Sequence, residues 1–157
     1  MIRPTTHEDT KALVALTEAT GVFKPHEIVA LQEVFDDYFE FERENGHIGI
    51  TYEAHGSLLG FAYYAPTPMT EQTWHLFWIA VSKQTQAKGI GGKLLTYIEE
   101  SLRASGARLL LIETSLLPHY EPTRNFYLKH GYEQVATVHD YYADGDDMAL
   151  FRKRLNA

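Results

Sequence analysis

The spacing of apolar residues predicts two long amphipathic helices in this 157-residue chain. The first begins behind Pro25, a residue that suits a first helical turn. Its apolar stripe consists of Ile28, Leu31, Phe35 and Tyr38. In the second long helix, apolar residues recur every four positions, at Ile90, Leu94, Ile98 and Leu102. Upstream of both, Thr5 and Glu8 have the spacing of a capping box, which predicts a further helix that ends near Gly21.

Apolar segments with other patterns predict the strands. A short strand occupies residues 2–4, and residues 47–54 and 57–65 indicate a hairpin joined at His55-Gly56. Residues 74–81 and 108–115 are apolar enough to be central strands buried on both faces. The helix that starts at Ile90 connects these two strands, so they should be parallel with a right-handed crossover.

The last part of the chain predicts a short helix and a second hairpin. Pro122 starts the helix, and Gly131 suits the position just past its end. Residues 132–142 and 148–155 form the hairpin around the acidic turn at 143–147. The element order is β-α-α-β-β-β-α-β-α-β-β. We expect an α/β fold in a single domain, residues 1–157, whose mixed, mostly antiparallel sheet contains one central parallel crossover.

Composition and charge narrow the class of protein. No apolar run approaches the ~20 residues of a membrane span, and the polar N-terminus lacks the apolar stretch of a signal peptide, which predicts a cytoplasmic protein. A formal charge of −7 disfavours nucleic acid and anionic membranes as partners. The chain has no cysteine, and its eight histidines form no ligand motif. We therefore expect no metal cofactor.

A glycine-rich stretch, SKQTQAKGIGGKLL at residues 82–95, leads into the second long helix. Gly89, Gly91 and Gly92 let the backbone bend sharply and allow a ligand to approach it closely. Unpaired N–H groups and the positive end of the helix dipole gather there, so the stretch predicts an anion site. A P-loop and a dinucleotide fingerprint are both excluded, because Leu94 stands where the first needs Ser or Thr and the second needs glycine.

The motif Gln86-x-x-Gly89-x-Gly91 resembles the pyrophosphate loop of the GCN5-related N-acetyltransferase (GNAT) family, which binds acetyl-CoA. Residues 126–132, FYLKHGY, resemble the closing F-Y-x-K-x-G-[FY] signature of the same family. The IRP start, the element order and the terminal FRKRL also match, so the resemblance covers nearly the whole chain. It implies the GNAT fold and an acetyltransferase that uses acetyl-CoA as cosubstrate.

The resemblance places the cosubstrate on two backbone segments. The amides of residues 88–92 converge on its pyrophosphate, and Lys88 and Lys93 are each either an added charge or a solvated lysine. The strand before the loop splays from the next parallel strand, and its backbone pairs with the pantetheine arm. The cofactor-binding residues implied in this way are Ile79, Ala80, Val81, Gln86, Lys88, Gly89, Ile90, Gly91, Gly92 and Thr123.

Acetyl transfer to an amine needs a neutral nucleophile and a proton for the departing thiolate, since an alkyl ammonium has a pKa of about 10.4. The resemblance implies that Tyr127 is the proton donor. The alternative interpretation is that Tyr127 is a core aromatic residue whose hydroxyl bonds to the backbone. Many family members carry an asparagine seven residues earlier, where this chain has Tyr120.

The family's usual base is a glutamate in the strand before the loop, but residues 74–81 contain no acid. Glu113 in the next strand is our candidate for the base or for the residue that orients the amine. A strand that ends at Glu113 would instead leave this side chain in water. His75 is the second candidate, and ordered water alone is the third route.

Three functions are compatible with these features. The first is an acetyl-CoA-dependent N-acetyltransferase that modifies a primary amine of a small molecule or peptide by direct attack. The second is a catalytically silent acyl-CoA-binding sensor on the same fold, which would keep the loop and lose the acid, so the retention of Tyr127 counts against it. The third is an interaction module that uses the loop as a helix cap. The sequence leaves the acceptor open and allows a homodimer.

Overall fold

Within residues 1–85 and 88–156, which the computed structural model describes, seven strands and four α-helices follow one another in the predicted order. The strands are β1 (Ile2–Pro4), β2 (Ile48–Ala54), β3 (Ser57–Pro66), β4 (Thr73–Val81), β5 (Leu109–Ser115), β6 (Glu133–Ala143) and β7 (Asp146–Arg154). The helices are α1 (Thr10–Ala19), α2 (Pro25–Glu40), α3 (Ile90–Ala104) and α4 (Glu121–Lys129).

The strands form one mixed sheet in the order β1-β2-β3-β4-β5-β7-β6. The ladder between β4 and β5 is parallel, and the ladders β1–β2, β2–β3, β5–β7 and β6–β7 are antiparallel. The α/β fold with a central parallel crossover is thus confirmed. None of the helices in the described residues combines the length and the apolar character that a membrane-spanning segment requires.

Residue contacts divide the chain into two compact units. The first comprises Met1–Ala65 and Trp78–Ile98, and the second comprises Pro66–Phe77 and Glu99–Ala157. The boundaries pass through β4 and α3, so each of these elements contributes residues to both units.

The core of the first unit packs α1 and α2 against β3 and the end of β4. Its buried side chains include Leu13, Leu31, Phe35, Phe61 and Ala80. The predicted stripe of α2 lies on its buried face from Ile28 to Tyr38. Pro25 is the first residue of α2, and the Glu27 carboxylate accepts a hydrogen bond from the Lys24 amide at 2.8 Å. The apolar periodicity therefore predicted both this helix and its buried face.

The first helix begins later than the sequence predicts. A 3-10 turn at His7–Asp9 precedes α1, and the amide that bonds to the capping carboxylate is that of Thr6, which donates to Asp9 at 2.8 Å. Thr5 is buried instead, with its hydroxyl 2.7 Å from that of Thr51 on β2. The predicted pair, Thr5 and Glu8, is wrong by one residue. Both registers offer a threonine with an acid three positions later, and the contact of Thr5 with β2 selects between them.

Asp9 is the buried anchor of this N-terminal turn. The Arg3 guanidinium donates to both of its carboxylate oxygens, at 2.7 and 2.9 Å, and also to Glu53 on β2 at 2.8 Å. Hydrogen bonding from Arg3 holds the pKa of Asp9 below its ordinary value of about 3.9, against the opposing effect of burial. A depressed carboxyl pKa stabilises the fold at pH values above about 4, and this stabilisation is lost as the pH falls through the depressed pKa.

Replacing Asp9 with asparagine is expected to lower the free energy of unfolding by about 2–4 kcal/mol at pH 7, because the guanidinium of Arg3 loses its bidentate anionic partner. The difference from the native chain should shrink as the pH falls below about 4, where the native carboxylate also becomes protonated. Urea unfolding across this pH range measures both effects. Glu53→Gln is the control, with an expected loss below about 1 kcal/mol because Glu53 is more exposed. A loss that is independent of pH would contradict the prediction.

The second unit is built on the parallel pair and the last hairpin. β5 pairs with β7 along its whole length, from Leu109 opposite Arg154 to Ser115 opposite Met148. Behind this sheet, the buried Glu99 carboxylate on α3 accepts hydrogen bonds from the Tyr132 hydroxyl at 2.7 Å and from the Lys153 ammonium at 2.9 Å. These bonds tie the second half of α3 to β7 and to the segment after α4.

The helix and hairpin predicted near the end of the chain are present. α4 starts one residue before Pro122 and ends ahead of Gly131, whose φ of +88° is the left-handed conformation that favours glycine after a helix. The Tyr132 amide donates to the Tyr127 carbonyl oxygen at 3.1 Å across this turn. β6 and β7 then form the predicted hairpin around the acidic turn.

β4 and β5 bury one face, and not both faces as predicted. Leu76, Leu110 and Ile112 are buried, whereas the residues that alternate with them remain partly accessible. Phe77, in the middle of β4, is 53% exposed. Apolar composition alone could not reveal this difference, because it does not show which neighbours cover each face. A partly exposed apolar surface in a central part of a sheet is a candidate binding surface.

Candidate active site

The predicted anion loop lies in the first unit, where α3 begins at Ile90. Gly89 has a φ of +74°, which favours glycine, and no heavy atom lies within 4 Å of the position that a Cβ would take. Gly91 and Gly92 fall in the first turn of α3 without a left-handed φ, so the predicted sharp bend is made at Gly89. The first turn of a helix presents N–H groups that have no acceptor inside the helix. Beside the open space at Gly89, this helix end can receive an anion.

Close packing at Gly60 on β3 fixes the position of α3. A Cβ at Gly60 would lie 3.0 Å from the Ala80 carbonyl oxygen and 3.2 Å from the Leu94 side chain. A larger residue would therefore displace either β4 or α3, together with the helix N-terminus. The sequence analysis did not name Gly60. The signal that could have identified it is an isolated glycine inside the apolar segment 57–65.

The lysine side chains of the loop are accessible, but one predicted backbone donor is not. Lys88 and Lys93 are exposed, and the Lys93 ammonium lies 5.9 Å from the centre of the Tyr52 ring. The Lys88 N–H donates to the Thr85 carbonyl oxygen at 3.0 Å. The expectation that the amides of residues 88–92 all converge on a ligand is therefore wrong for Lys88. Gln86, the first residue of the motif, lies outside the described residues.

The parallel ladder between β4 and β5 ends before β4 does. Its register runs from Thr73 opposite Leu109 to Leu76 opposite Ile112, and β4 continues to Val81. The segment 79–81, for which the resemblance implies contact with a pantetheine arm, thus lies beyond the described ladder with β5.

Arg124 anchors the start of α4. Its guanidinium donates to the carbonyl oxygens of Ser115 and Leu117, both at 2.9 Å. The Ser115 hydroxyl donates to the Asp146 carboxylate at 2.5 Å and accepts a hydrogen bond from the Leu117 amide at 3.0 Å. These bonds hold α4 to the end of β5. Thr123, in the first turn of α4, is partly exposed.

Tyr127 is buried in an aromatic cluster of the second unit. Its ring centre lies 5.8 Å from that of Phe151 and 6.1 Å from that of Tyr132. Burial raises the pKa of the Tyr127 phenol above its ordinary value of about 10. Among the described residues the Tyr127 hydroxyl has no hydrogen-bond partner. The phenol thus stays protonated at neutral pH.

Glu113 and His75 lie on the partly exposed face of β4 and β5. Glu113 is not at a strand end, because β5 continues to Ser115. Burial lowers the pKa of His75 below its ordinary value, and the Glu113 carboxylate opposes that shift, so the imidazole is neutral near pH 7. His75 Nδ1 lies 2.7 Å from the Thr67 hydroxyl. The described residues contain no group of three or more His, Asp or Glu side chains placed to hold a metal ion.

Two tyrosines that the sequence analysis did not name lie close to this face. The Tyr141 phenol on β6 lies near the Glu113 carboxylate, and its ring centre is 4.9 Å from that of Tyr142. The negative charge of Glu113, followed by burial, raises the pKa of Tyr141. A pair of adjacent tyrosines near the end of a predicted strand is the signal that could have identified them.

Comparisons with known proteins agree on one family. The model of the acetyltransferase (GNAT) family matches residues 13–132. A crystal structure from Desulfovibrio desulfuricans, assigned to the GNAT family of acetyltransferases, is 33% identical over 99% of each chain, with a TM-score of 0.93. An N-acetyltransferase from Staphylococcus aureus Mu50 is 22% identical over 99% of this chain and 98% of its own, with a TM-score of 0.80.

The same fold is found in a protein-modifying enzyme. The ribosomal-protein-S18-alanine N-acetyltransferase of Escherichia coli has a TM-score of 0.80 at 18% identity, over 100% of this chain and 94% of its own. A search of curated proteins finds no match for this sequence.

Proposed function

The chain belongs to the GNAT family of acetyltransferases, and we propose that it acetylates a primary amine of a small molecule or peptide with acetyl-CoA as donor. The observation that carries the proposal is the state of Tyr127, a buried phenol with a raised pKa and a hydroxyl that has no partner among the described residues. In this proposal the whole chain, residues 1–157, acts as one acetyltransferase domain.

The N-terminus of α3 holds the pyrophosphate of acetyl-CoA. Its first-turn amides and the positive end of the helix dipole attract the negative charge, and the open space at Gly89 leaves room for the phosphates. The side chains of Lys88 and Lys93 add positive charge at the same place. The backbone from Ile79 to Val81 pairs with the pantetheine arm, and Thr123 contacts the cosubstrate from α4.

Tyr127 protonates the departing thiolate. Acetyl-CoA supplies an acetyl group activated as a thioester. As the amine nitrogen bonds to the acetyl carbon and the carbon–sulfur bond breaks, the Tyr127 hydroxyl gives its proton to the sulfur. Burial favours the neutral phenol, so the donor is protonated throughout the neutral pH range.

Glu113 receives the amine. Its carboxylate attracts the ammonium form and accepts a proton from it, directly or through water, which leaves the neutral nucleophile. His75, whose imidazole is neutral near pH 7, is the second proton acceptor in the same unit. After the attack the nitrogen loses its second proton, which restores the Tyr127 phenol directly or through water, so Tyr127 and Glu113 together account for the proton transfers of the reaction.

The native protein is expected to bind acetyl-CoA with a Kd between about 1 μM and 1 mM, and to melt at a higher temperature when it is bound. Calorimetric titration measures the affinity. Release of the CoA thiol, followed with amines, amino acids, polyamines and peptides, measures turnover against a control without acceptor. Binding without turnover of any amine would favour the silent acyl-CoA sensor. A failure to bind acetyl-CoA would contradict the assignment of the loop.

A further inference from the structure

One sheet face in the second unit carries one acid and one arginine among apolar and aromatic residues. The strand register places these residues side by side, with His75 opposite Leu111, Leu111 opposite Arg152, and Glu113 opposite Leu150. Phe77 stacks on His75, with ring centres 5.6 Å apart and planes at 17°. We call this surface the open face. It consists of His75, Phe77, Leu111, Glu113, Leu150 and Arg152, all of them at least partly exposed.

The charge on the open face favours a cation. Among the described residues Glu113 forms no ion pair, whereas the Arg152 guanidinium is paired with Glu133 on β6 at 3.2 Å. The positive charge on the face is thus already compensated, and the negative one is available to a ligand. An ammonium group placed against Glu113 would gain a charge-assisted hydrogen bond.

A bulge in β6 brings tyrosine rings to the edge of the open face. Asp140 has a φ of +57°, and the register with β7 is interrupted around it. The Asp140 N–H donates to Asp147, and the Asp140 carboxylate accepts from the Gly145 N–H, both at 2.8 Å. The bulge is therefore held in place by hydrogen bonds, and Tyr141 follows it directly, near the negative charge of Glu113.

We propose that the open face is the acceptor site and that it selects a primary ammonium attached to an apolar or aromatic body. This inference rests on the proposed function and deepens it. Glu113 binds the ammonium, and the rings of Tyr141 and Tyr142 present negative π faces to the same charge. Phe77 and the leucines of the face contact the body of the acceptor.

Hydroxylated amines fit this surface poorly. The hydroxyl groups of an amino sugar would lose water against Phe77, Leu111 and Leu150, whose side chains offer no hydrogen-bond partners in return. An apolar body gains free energy at the same place, because it removes half-exposed apolar area from water. Loss of water from the hydroxyl groups and burial of the apolar body therefore both favour an apolar amine over an amino sugar.

Butylamine and 4-phenylbutylamine test the proposal, because they carry the same amine and differ by a distant phenyl ring. We expect kcat/KM to be about 10–100-fold higher for the phenyl compound. Phe77→Ala should lower the ratio of kcat/KM for 4-phenylbutylamine to kcat/KM for butylamine roughly tenfold, because it removes an apolar contact of the phenyl ring. Glu113→Gln should lower kcat/KM for both amines by a similar factor, because the two share the ammonium. Phe41→Ala, at an exposed phenylalanine of the first unit, is the control and should change neither value.

Direct binding of 4-phenylbutylamine in the presence of CoA gives a second readout that does not require turnover. A roughly tenfold higher Kd for Phe77→Ala would support the open face even if the chemistry of the proposed function failed. The inference would be overturned if the native protein had nearly equal kcat/KM values for the two amines or preferred an amino sugar. It would also be overturned if folded Phe77→Ala kept the native ratio of kcat/KM values and the native Kd. In those cases acetylation of other amines would leave the proposed function intact.

Discussion

Replacement of Tyr127 by phenylalanine is expected to lower kcat by roughly 10²–10⁴ while the affinity for acetyl-CoA stays nearly unchanged. The substitution removes one oxygen and keeps the ring between Phe151 and Tyr132. Since burial raises the pKa of the phenol, the loss should extend across the neutral pH range. Steady-state kinetics with an acceptor that turns over, together with titration of acetyl-CoA, measure the two effects separately.

Tyr132→Phe is the matched control, because it makes the same chemical change in the same aromatic cluster. The Tyr132 hydroxyl donates to the buried Glu99 carboxylate, so its removal should lower the free energy of unfolding by about 1–3 kcal/mol and leave kcat in place. Tyr127→Phe should lower kcat and leave the free energy of unfolding nearly unchanged, since the Tyr127 hydroxyl has no protein partner among the described residues. If Tyr127→Phe kept kcat and raised the Kd of acetyl-CoA, Tyr127 would be a binding residue and not the acid.

Replacement of Gly89 by aspartate is expected to weaken acetyl-CoA binding by about 100-fold or more. A carboxylate there would enter the space proposed for the pyrophosphate and repel its charge. Because no heavy atom lies within 4 Å of the Cβ position, the side chain itself causes no clash, and the cost to folding is the strain of a φ of +74°. Calorimetric titration of the folded variant measures the loss.

Two variants separate charge from strain in this experiment. Gly89→Ala imposes the same backbone strain without the charge, and it should bind acetyl-CoA far better than Gly89→Asp. Gly21→Asp places an aspartate at another glycine with a left-handed φ of +71° and open space, outside the loop, and it should bind normally. If Gly89→Asp bound acetyl-CoA as tightly as Gly21→Asp, the pyrophosphate would not lie at this helix end.

Features that depend on neighbours a few residues apart could be predicted from the sequence. The apolar face of α3 is buried from Ile90 to Leu102, as its four-residue period indicates. Gly89 and Gly131 both take the left-handed φ expected before and after a helix. The Gly89 motif and the Tyr127 signature also led to the correct family. All of these signals are local, so one sequence is enough to show them.

Features that depend on packing between distant segments could not be predicted. The register of the N-terminal turn is selected by Thr5 against Thr51, 46 residues away. The exposure of Phe77 depends on the strands and loops around β4, which its own apolar segment does not describe. The nearness of Tyr141 to Glu113 accompanies a bulge at Asp140, and a single pattern of alternating residues gives no sign of this bulge.

The bulge in β6 also has a consequence for solubility and for how the chain can evolve. β6 is an edge strand of eleven residues, all of them exposed, and such an edge is a template on which another chain can add a strand and start aggregation. The irregular backbone at Asp140 interrupts that template. A substitution that straightened β6 would move the tyrosines away from the proposed acceptor site and restore a continuous edge at the same time. In that proposal, a change of acceptor preference through this segment also changes how readily the edge of the sheet pairs with another chain.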